Sequence, residues 1–172
     1  YTERTLVKGP VYPVWLAAIS LARLPLLPAQ HVLYAAAAAL LIAALGGLIP
    51  QRGARLALFA VLLFDPASYD ATSHRVTREG IYTPLALLVV AGAAGFACRF
   101  AARPREAWWW AGLLSVALPL FWFTREEGPW ILPAVALPLA YAGIGALRAS
   151  RGPGRFAVLA AIFAPMVALA LA

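Results

Sequence analysis

The sequence predicts an all-α fold, a polytopic transmembrane helix bundle of about six spans with an N-terminal juxtamembrane helix. Hydrophobic residues make up 63% of the 172 residues, charged residues make up 12%, and the mean hydropathy is +0.81. Soluble domains are about half apolar and about a quarter charged, so this chain has too little polar surface to cover itself in water. Long apolar runs separated by short arginine clusters are typical of membrane helices and their loops.

The chain contains six apolar runs, and five of them approach or reach the roughly 20 residues that a helix needs to cross the hydrocarbon of a bilayer. In chain order they are 30–49, 56–64, 81–100, 107–123, 130–147 and 156–172. The second run is short, so it reaches membrane thickness only if its helix begins near Gly53 and continues into residues 65–69.

The apolar stretch 11–27 is interrupted by Arg23 and by three prolines, at positions 13, 25 and 28. Helix-breaking residues of this kind favour an interfacial segment over a span. We therefore expect residues 1–28 to form an outer juxtamembrane segment and residues 29–172 to form a single transmembrane module. The alternative is an ordinary span at 11–27, with the opposite orientation of the bundle.

The charges of the loops predict the orientation of the bundle. Three loops carry eight arginines and one acidic residue, and they alternate with two loops that carry three arginines and five acidic residues. Since arginine-rich loops stay in the cytoplasm, we expect the two mixed loops to face the extracytoplasmic side of the membrane. The arginines of the first set are Arg52, Arg55, Arg99, Arg103, Arg105, Arg148, Arg151 and Arg155.

The net charge of +7 does not indicate a nucleic-acid-binding protein. The sequence contains no zinc-finger spacing, no RNA-binding aromatic signature and no continuous basic face. Cys98 is the single cysteine, so the sequence predicts neither a disulfide framework nor a thiolate metal site.

Two polar segments of the mixed loops, 65–80 and 124–130, hold the residues best suited to chemistry. Their charged candidates are Asp70, Arg75, Arg78 and Glu79 in the first segment, and Arg125, Glu126 and Glu127 in the second. Guanidinium groups match phosphate oxygens, while carboxylates bind metal ions or accept protons. We expect the two segments to line one pocket. The alternative is simple charge pairing within each segment, since Arg75 and Glu79 are four residues apart.

The segment Lys8-Gly9-Pro10-Val11-Tyr12-Pro13, followed by Trp15-Leu16-Ala17, resembles an element of bacterial membrane glycosyltransferases. It is similar to the Lys-Pro-Pro-Leu-Tyr-type element of the GT-C fold, which includes aminoarabinose transferases and protein mannosyltransferases. The sequence Arg75-Val76-Thr77-Arg78-Glu79-Gly80-Ile81-Tyr82 is placed like the second external loop of that family. The resemblance extends from Lys8 to about Leu147. Gly9 replaces the usual first proline, and no acidic pair follows the tyrosine.

The resemblance implies an enzyme of the bacterial inner membrane that transfers a sugar from a polyprenyl-phosphate carrier to an extracytoplasmic acceptor. Membrane lipid and the lipid-linked sugar would be its partners, and a requirement for a divalent metal ion is left open. The family's catalytic Asp lies upstream of the lysine element, so we expect this chain to belong to a longer protein. By this resemblance the lipid phosphate is bound by Lys8, Arg75, Arg78 and Arg125, and the catalytic groups that position the acceptor are Asp70, Glu79 and Glu126.

Two other functions fit the same composition. A transporter or flippase of lipid-linked intermediates would use the same cavity, although such proteins usually show two related halves with interrupted helices. A non-catalytic membrane scaffold would tolerate alanine at every charge of the outer loops.

Overall fold

A computed structural model of the chain describes residues 10–64, 79–100, 102–124 and 130–149, except for the side chains of residues 79 and 145–149. Within these ranges the fold is all-α, as the sequence predicts, with no strand. The predicted run 156–172 lies outside the described residues. The helices are α1 (Val11–Leu21), α2 (Leu26–Ala44), α3 (Arg52–Leu63), α4 (Glu79–Arg99), α5 (Pro104–Trp122) and α6 (Ile131–Ala149).

Two of the described helices are long and apolar enough to cross a membrane. They are α2 together with the 3-10 turn that follows it, Leu26–Gly47, and most of α4, Gly80–Arg99. Helix α3 has 12 residues and is about 18 Å long, well short of a hydrocarbon core of about 30 Å. The described residues therefore contain two candidate spans, where the sequence as a whole predicts about six.

The prolines near the N-terminus lie at the starts of two helices. Helix α2 begins at Leu26, four residues before the predicted start of the first span at Gln30. Pro28 lies in the first turn of α2 and Pro13 lies in the first turn of α1. A first-turn residue has no intrahelical acceptor for its N–H, so proline costs no hydrogen bond there. The predicted division at residue 28 consequently falls inside α2.

Helix α1 ends in a Schellman turn centred on Arg23. The Arg23 amide donates to the Ser20 carbonyl at 3.1 Å, and the Leu24 amide donates to the Ile19 carbonyl at 3.1 Å. Arg23 adopts a φ of 53°, the left-handed conformation for which glycine is the usual residue at this position. This turn separates α1 from α2 within four residues.

One end of the bundle joins the start of α2, the end of α3 and the start of α4. The Tyr34 hydroxyl in α2 donates to the Leu62 carbonyl in α3 at 2.7 Å. Gln30 packs so closely on Gly80, in the first turn of α4, that a Cβ at Gly80 would overlap the Gln30 amide. Helices α2 and α4 therefore run parallel to each other, and α3 runs antiparallel to them.

The opposite end, which we call the arginine end, joins the ends of α2 and α4 to the start of α5. Arg99 donates to the carbonyls of Ala43 and Ala44 at 2.8 and 3.0 Å. Its Nε lies 3.5 Å from a carboxylate oxygen of Glu106, and its guanidinium lies 5.0 Å from the centre of the Trp110 ring. Carbonyls in the last turn of a helix have no intrahelical donor and form the negative end of the helix dipole, so a cation stabilises them.

Helix α4 lies at the centre of the described bundle and packs against α2, α5 and α6. Small residues on α4 allow this close packing. A Cβ at Gly92 would lie 2.9 Å from the backbone nitrogen of Leu114 in α5, and a Cβ at Gly95 would overlap the ring of Trp110. The largest fully buried side chains are Phe96, Phe121, Ile81, Ile131, Leu139, Val89 and Val135.

Candidate functional site

The site residues predicted from the sequence lie almost entirely outside the described residues. Glu79 is the first residue of α4, but its side chain is not described. The structure does describe residues that border both polar segments, and these show where the segments join the bundle. The predicted residues outside the described ranges are Lys8, Asp70, Arg75, Arg78, Arg125 and Glu126.

Three aromatic rings meet at the end of the bundle that contains the start of α4. Tyr82 stacks on Phe121, with ring centroids 4.8 Å apart and an interplanar angle of 27°. Trp130 packs edge-on against Phe121 at 5.8 Å and 84°. The Trp130 indole N–H donates to the Tyr82 hydroxyl. We call these three residues the aromatic cluster, and the end of the bundle that holds them the aromatic end.

The aromatic cluster brings the borders of the two polar segments together. Tyr82 lies in the first turn of α4, which follows residues 65–78, and Phe121 lies in the last turn of α5. Residues 125–129 are bordered by Trp130 and by Thr124, which is fully buried and donates to the Leu120 carbonyl at 2.6 Å. One border of the first segment and both borders of the second therefore lie at the aromatic end.

Three buried polar atoms of α1 and α2 have no hydrogen-bond partner among the described residues. They are the Tyr12 hydroxyl, the Trp15 indole nitrogen and the Gln30 amide nitrogen. Tyr12 belongs to the same hydrophobic core as Ile81, and Trp15 packs against that core. Burial raises the pKa of the Tyr12 phenol, so this group stays a neutral hydrogen-bond donor at physiological pH.

An unpaired buried donor costs about 1–3 kcal/mol, so three of them on two neighbouring helices are an uncommon feature. Tyr12 and Trp15 belong to the segment that carries the family resemblance, while Gln30 borders the start of α4. Of the three, the Gln30 amide is the donor that the structure places at the aromatic end. Sequence reasoning missed Gln30, whose signal was a lone amide at the start of a long apolar run.

The described residues contain no group of three or more His, Cys, Asp or Glu side chains that could hold a metal ion. Glu106 is the one acidic residue whose side chain is described, and it lies at the arginine end beside Arg99 and Arg103. The His31 Nδ1 atom lies 2.8 Å from the Leu27 carbonyl, so its ring is held against the first turn of its own helix.

Sequence reasoning treated Arg99 only as a loop charge and did not anticipate its contacts. Its side chain is only 19% exposed and joins three helices, whereas the side chain of Arg103 is 69% exposed. The sequence signal was the position of Arg99 at the end of a predicted span, where a basic residue complements the helix dipole.

Comparison of the chain with protein-family models, with curated proteins and with solved structures finds no match. The likeness to GT-C glycosyltransferases therefore remains the prediction that the sequence motifs make.

Proposed function

We propose that the chain is the membrane module of a glycosyltransferase that takes a sugar from a polyprenyl-phosphate carrier and transfers it to an extracytoplasmic acceptor. One observation supports the proposal above all: Tyr82, Phe121 and Trp130 bring the borders of both charged segments to one end of the bundle. Group transfer requires phosphate-binding and acidic groups close to one substrate, and two charged segments that join the bundle at one end are suited to that requirement.

In the proposed reaction an acceptor hydroxyl or amine attacks the anomeric carbon of the lipid-linked sugar. A new bond forms at that carbon, the bond from carbon to phosphate oxygen breaks, and polyprenyl phosphate leaves with the bonding electrons. Lys8, Arg75, Arg78 and Arg125 stabilise the negative charge of the departing phosphate. The proton of the acceptor passes to a carboxylate base. The family places that base upstream of Lys8, while Asp70, Glu79 and Glu126 position the acceptor.

The aromatic cluster suits the sugar itself. Trp130 is 53% exposed, so part of its ring surface is available at the aromatic end. The C–H face of a pyranose packs on an aromatic face, while its hydroxyl groups need hydrogen-bond partners. The unpartnered Gln30 amide lies at this end of the bundle, and Tyr12 and Trp15 carry two further unpartnered donors. These groups supply recognition, and the charged segments supply the chemistry.

Membrane vesicles that contain the full-length protein, with the segment upstream of Lys8 in which the family carries its base, and a radiolabelled polyprenyl-phosphate sugar test the proposal. Mannose and aminoarabinose carriers are the first donors to use, and the native membrane supplies the acceptor. We expect label to leave the lipid fraction and polyprenyl phosphate to accumulate. Alanine at Arg75, Arg78 or Arg125 should lower the transfer rate by about 100-fold or more, since each arginine stabilises charge that develops in the transition state. Arg103→Ala, an exposed change at the arginine end, is the matched control.

Two outcomes would contradict the proposal. Normal transfer by all three alanine variants would show that these arginines do not form a phosphate site. Movement of the intact lipid-linked sugar between leaflets, with no cleavage of the bond from sugar to phosphate, would instead indicate a flippase.

A further inference from the structure

A cleft lies at the arginine end, and Ala43, whose carbonyl accepts from Arg99, is part of its lining. It lies between the second half of α2 and the first half of α3 and has a volume of about 410 Å³. Ala39 and Ile42 form its wall on α2, while Leu56 and Phe59 form its wall on α3. Arg52 and Arg55 complete the lining. The cleft is thus an apolar groove with two guanidinium groups at one end.

The two arginines of this cleft are unpaired, in contrast to Arg99. Neither Arg52 nor Arg55 forms an ion pair with any residue that the structure describes. The Arg55 Nε is buried and has no hydrogen-bond partner within that same part of the chain. A buried charged donor without a partner is unfavourable, so the site favours an anion that supplies one.

The backbone adds to the positive charge at the same place. Helix α3 begins at Arg52, and the side chain of its N-cap residue, Gln51, makes no capping hydrogen bond. The free N–H groups of the first turn form the positive end of the helix dipole. A Cβ at Gly53 would meet no atom within 4 Å, so nothing in the described structure covers the backbone there.

The depth of the cleft distinguishes a lipid from a free anion. Ala39 lies eight residues before Gly47, the last residue of the candidate span, and therefore about 12 Å deeper along the helix. In a bilayer the arginines lie at the level of the headgroups, and the wall of Ala39, Ile42 and Phe59 lies at the level of the acyl chains. A free phosphate makes no contact with this apolar wall, whereas a phospholipid held at the arginines places an acyl chain along it.

We propose that this cleft binds one anionic phospholipid from the leaflet at the arginine end. Its phosphate pairs with Arg52 and Arg55, and one acyl chain lies along Ala39, Ile42 and Phe59. Basic pockets between membrane helices on the cytoplasmic side are suited to such headgroups. The inference does not depend on sugar transfer, because it concerns the end of the bundle opposite to the aromatic cluster.

Native mass spectrometry of the full chain in detergent tests the inference by counting bound lipids. Dioleoyl phosphatidylglycerol, dioleoyl phosphatidylcholine and sodium phosphate are the three probes. We expect one phosphatidylglycerol to bind at least about tenfold more tightly than phosphatidylcholine, and sodium phosphate to leave it bound. The double variant Arg52→Gln, Arg55→Gln should weaken the binding of phosphatidylglycerol by about tenfold or more, because it removes both charges.

Two further variants separate the contributions of general surface charge and of the apolar wall to lipid binding. Arg103→Gln removes an exposed charge at the same end but outside the cleft, so binding should stay within about twofold of the original chain. Ala39→Phe fills the space beside the apolar wall and leaves both arginines in place. It should also weaken the binding of the lipid. Should the double variant fail to fold, Ala39→Phe and Arg52→Gln, which change exposed side chains, decide the question alone.

Several results would overturn the inference. Unchanged lipid binding by the double variant would show that Arg52 and Arg55 do not bind the phosphate. An equal loss in Arg103→Gln would indicate a general basic surface. Displacement of the lipid by sodium phosphate would indicate a site for free anions, and normal binding by Ala39→Phe would show that no acyl chain occupies the cleft.

Discussion

Gly92→Ala is the substitution that most directly probes the packing of α4 on α5. The added Cβ would lie 2.9 Å from the backbone nitrogen and 3.0 Å from the Cα of Leu114. Backbone atoms cannot rotate away, so the two helices must separate. Overpacking costs about 1–3 kcal/mol, and alanine recovers about 1 kcal/mol of helix propensity. Because the contact involves backbone, we expect the upper part of that range and a net destabilisation of about 1–2 kcal/mol.

Thermal unfolding of the purified protein in detergent measures this effect. A loss of 1–2 kcal/mol corresponds to a fall in Tm of about 2–8 °C for a chain of this size. Gly112→Ala is the matched control, because Gly112 lies on α5 and a Cβ there would meet no atom within 4 Å. We expect this control to raise the stability by about 0.5–1 kcal/mol. If Gly92→Ala stabilised the protein as much as Gly112→Ala does, the close contact described between α4 and α5 would be contradicted.

Two more changes test single contacts in the same unfolding assay. Arg99→Met removes the donors to the Ala43 and Ala44 carbonyls and should lower the free energy of unfolding by about 2–3 kcal/mol. The exposed control Arg103→Met should lower it by less than about 0.5 kcal/mol. Equal losses in the two variants would refute the capping role of Arg99. Arg23→Gly should raise the stability by about 1 kcal/mol, because glycine adopts the left-handed conformation without the steric cost of a Cβ. Arg23→Ala keeps a Cβ and should not raise it. A gain in Arg23→Ala alone would contradict this interpretation of the turn.

The helical class and most helix positions could be predicted from the sequence. The runs 81–100, 107–123 and 130–147 correspond to α4, α5 and α6, because apolar length and flanking charges are local properties of the chain. The start of α2 was placed too late, since Pro28 was interpreted as a break although it occupies the first turn. The short run 56–64 reaches membrane thickness only with a start near Gly53 and a continuation into residues 65–69. Helix α3 does begin at Arg52, but it ends at Leu63 and so stays too short.

The candidate site could be predicted only in part. Local patterns indicate which segments are polar, but the contact of Tyr82 with Phe121 joins residues far apart in the chain, and no periodicity shows it. The unpaired donor of Gln30 depends on the packing of α2 against Gly80, which is likewise a tertiary property. The roles of the charged residues in segments 65–78 and 125–129 remain predictions, since these residues lie outside the described ranges.

Accessibility of single cysteines in intact cells tests the central claim most directly, because the account requires both polar segments on one side of the membrane and the arginine end on the other. Cys98→Ala gives a cysteine-free background, since Cys98 is the single cysteine of the chain. A membrane-impermeant maleimide should label cysteines at Ser73 and Gly128 from outside, and should label cysteines at Ala54 and Ala102 only after permeabilisation. Labelling of Ser73 and Gly128 from opposite sides of the membrane would contradict a shared site and the reaction proposed for it.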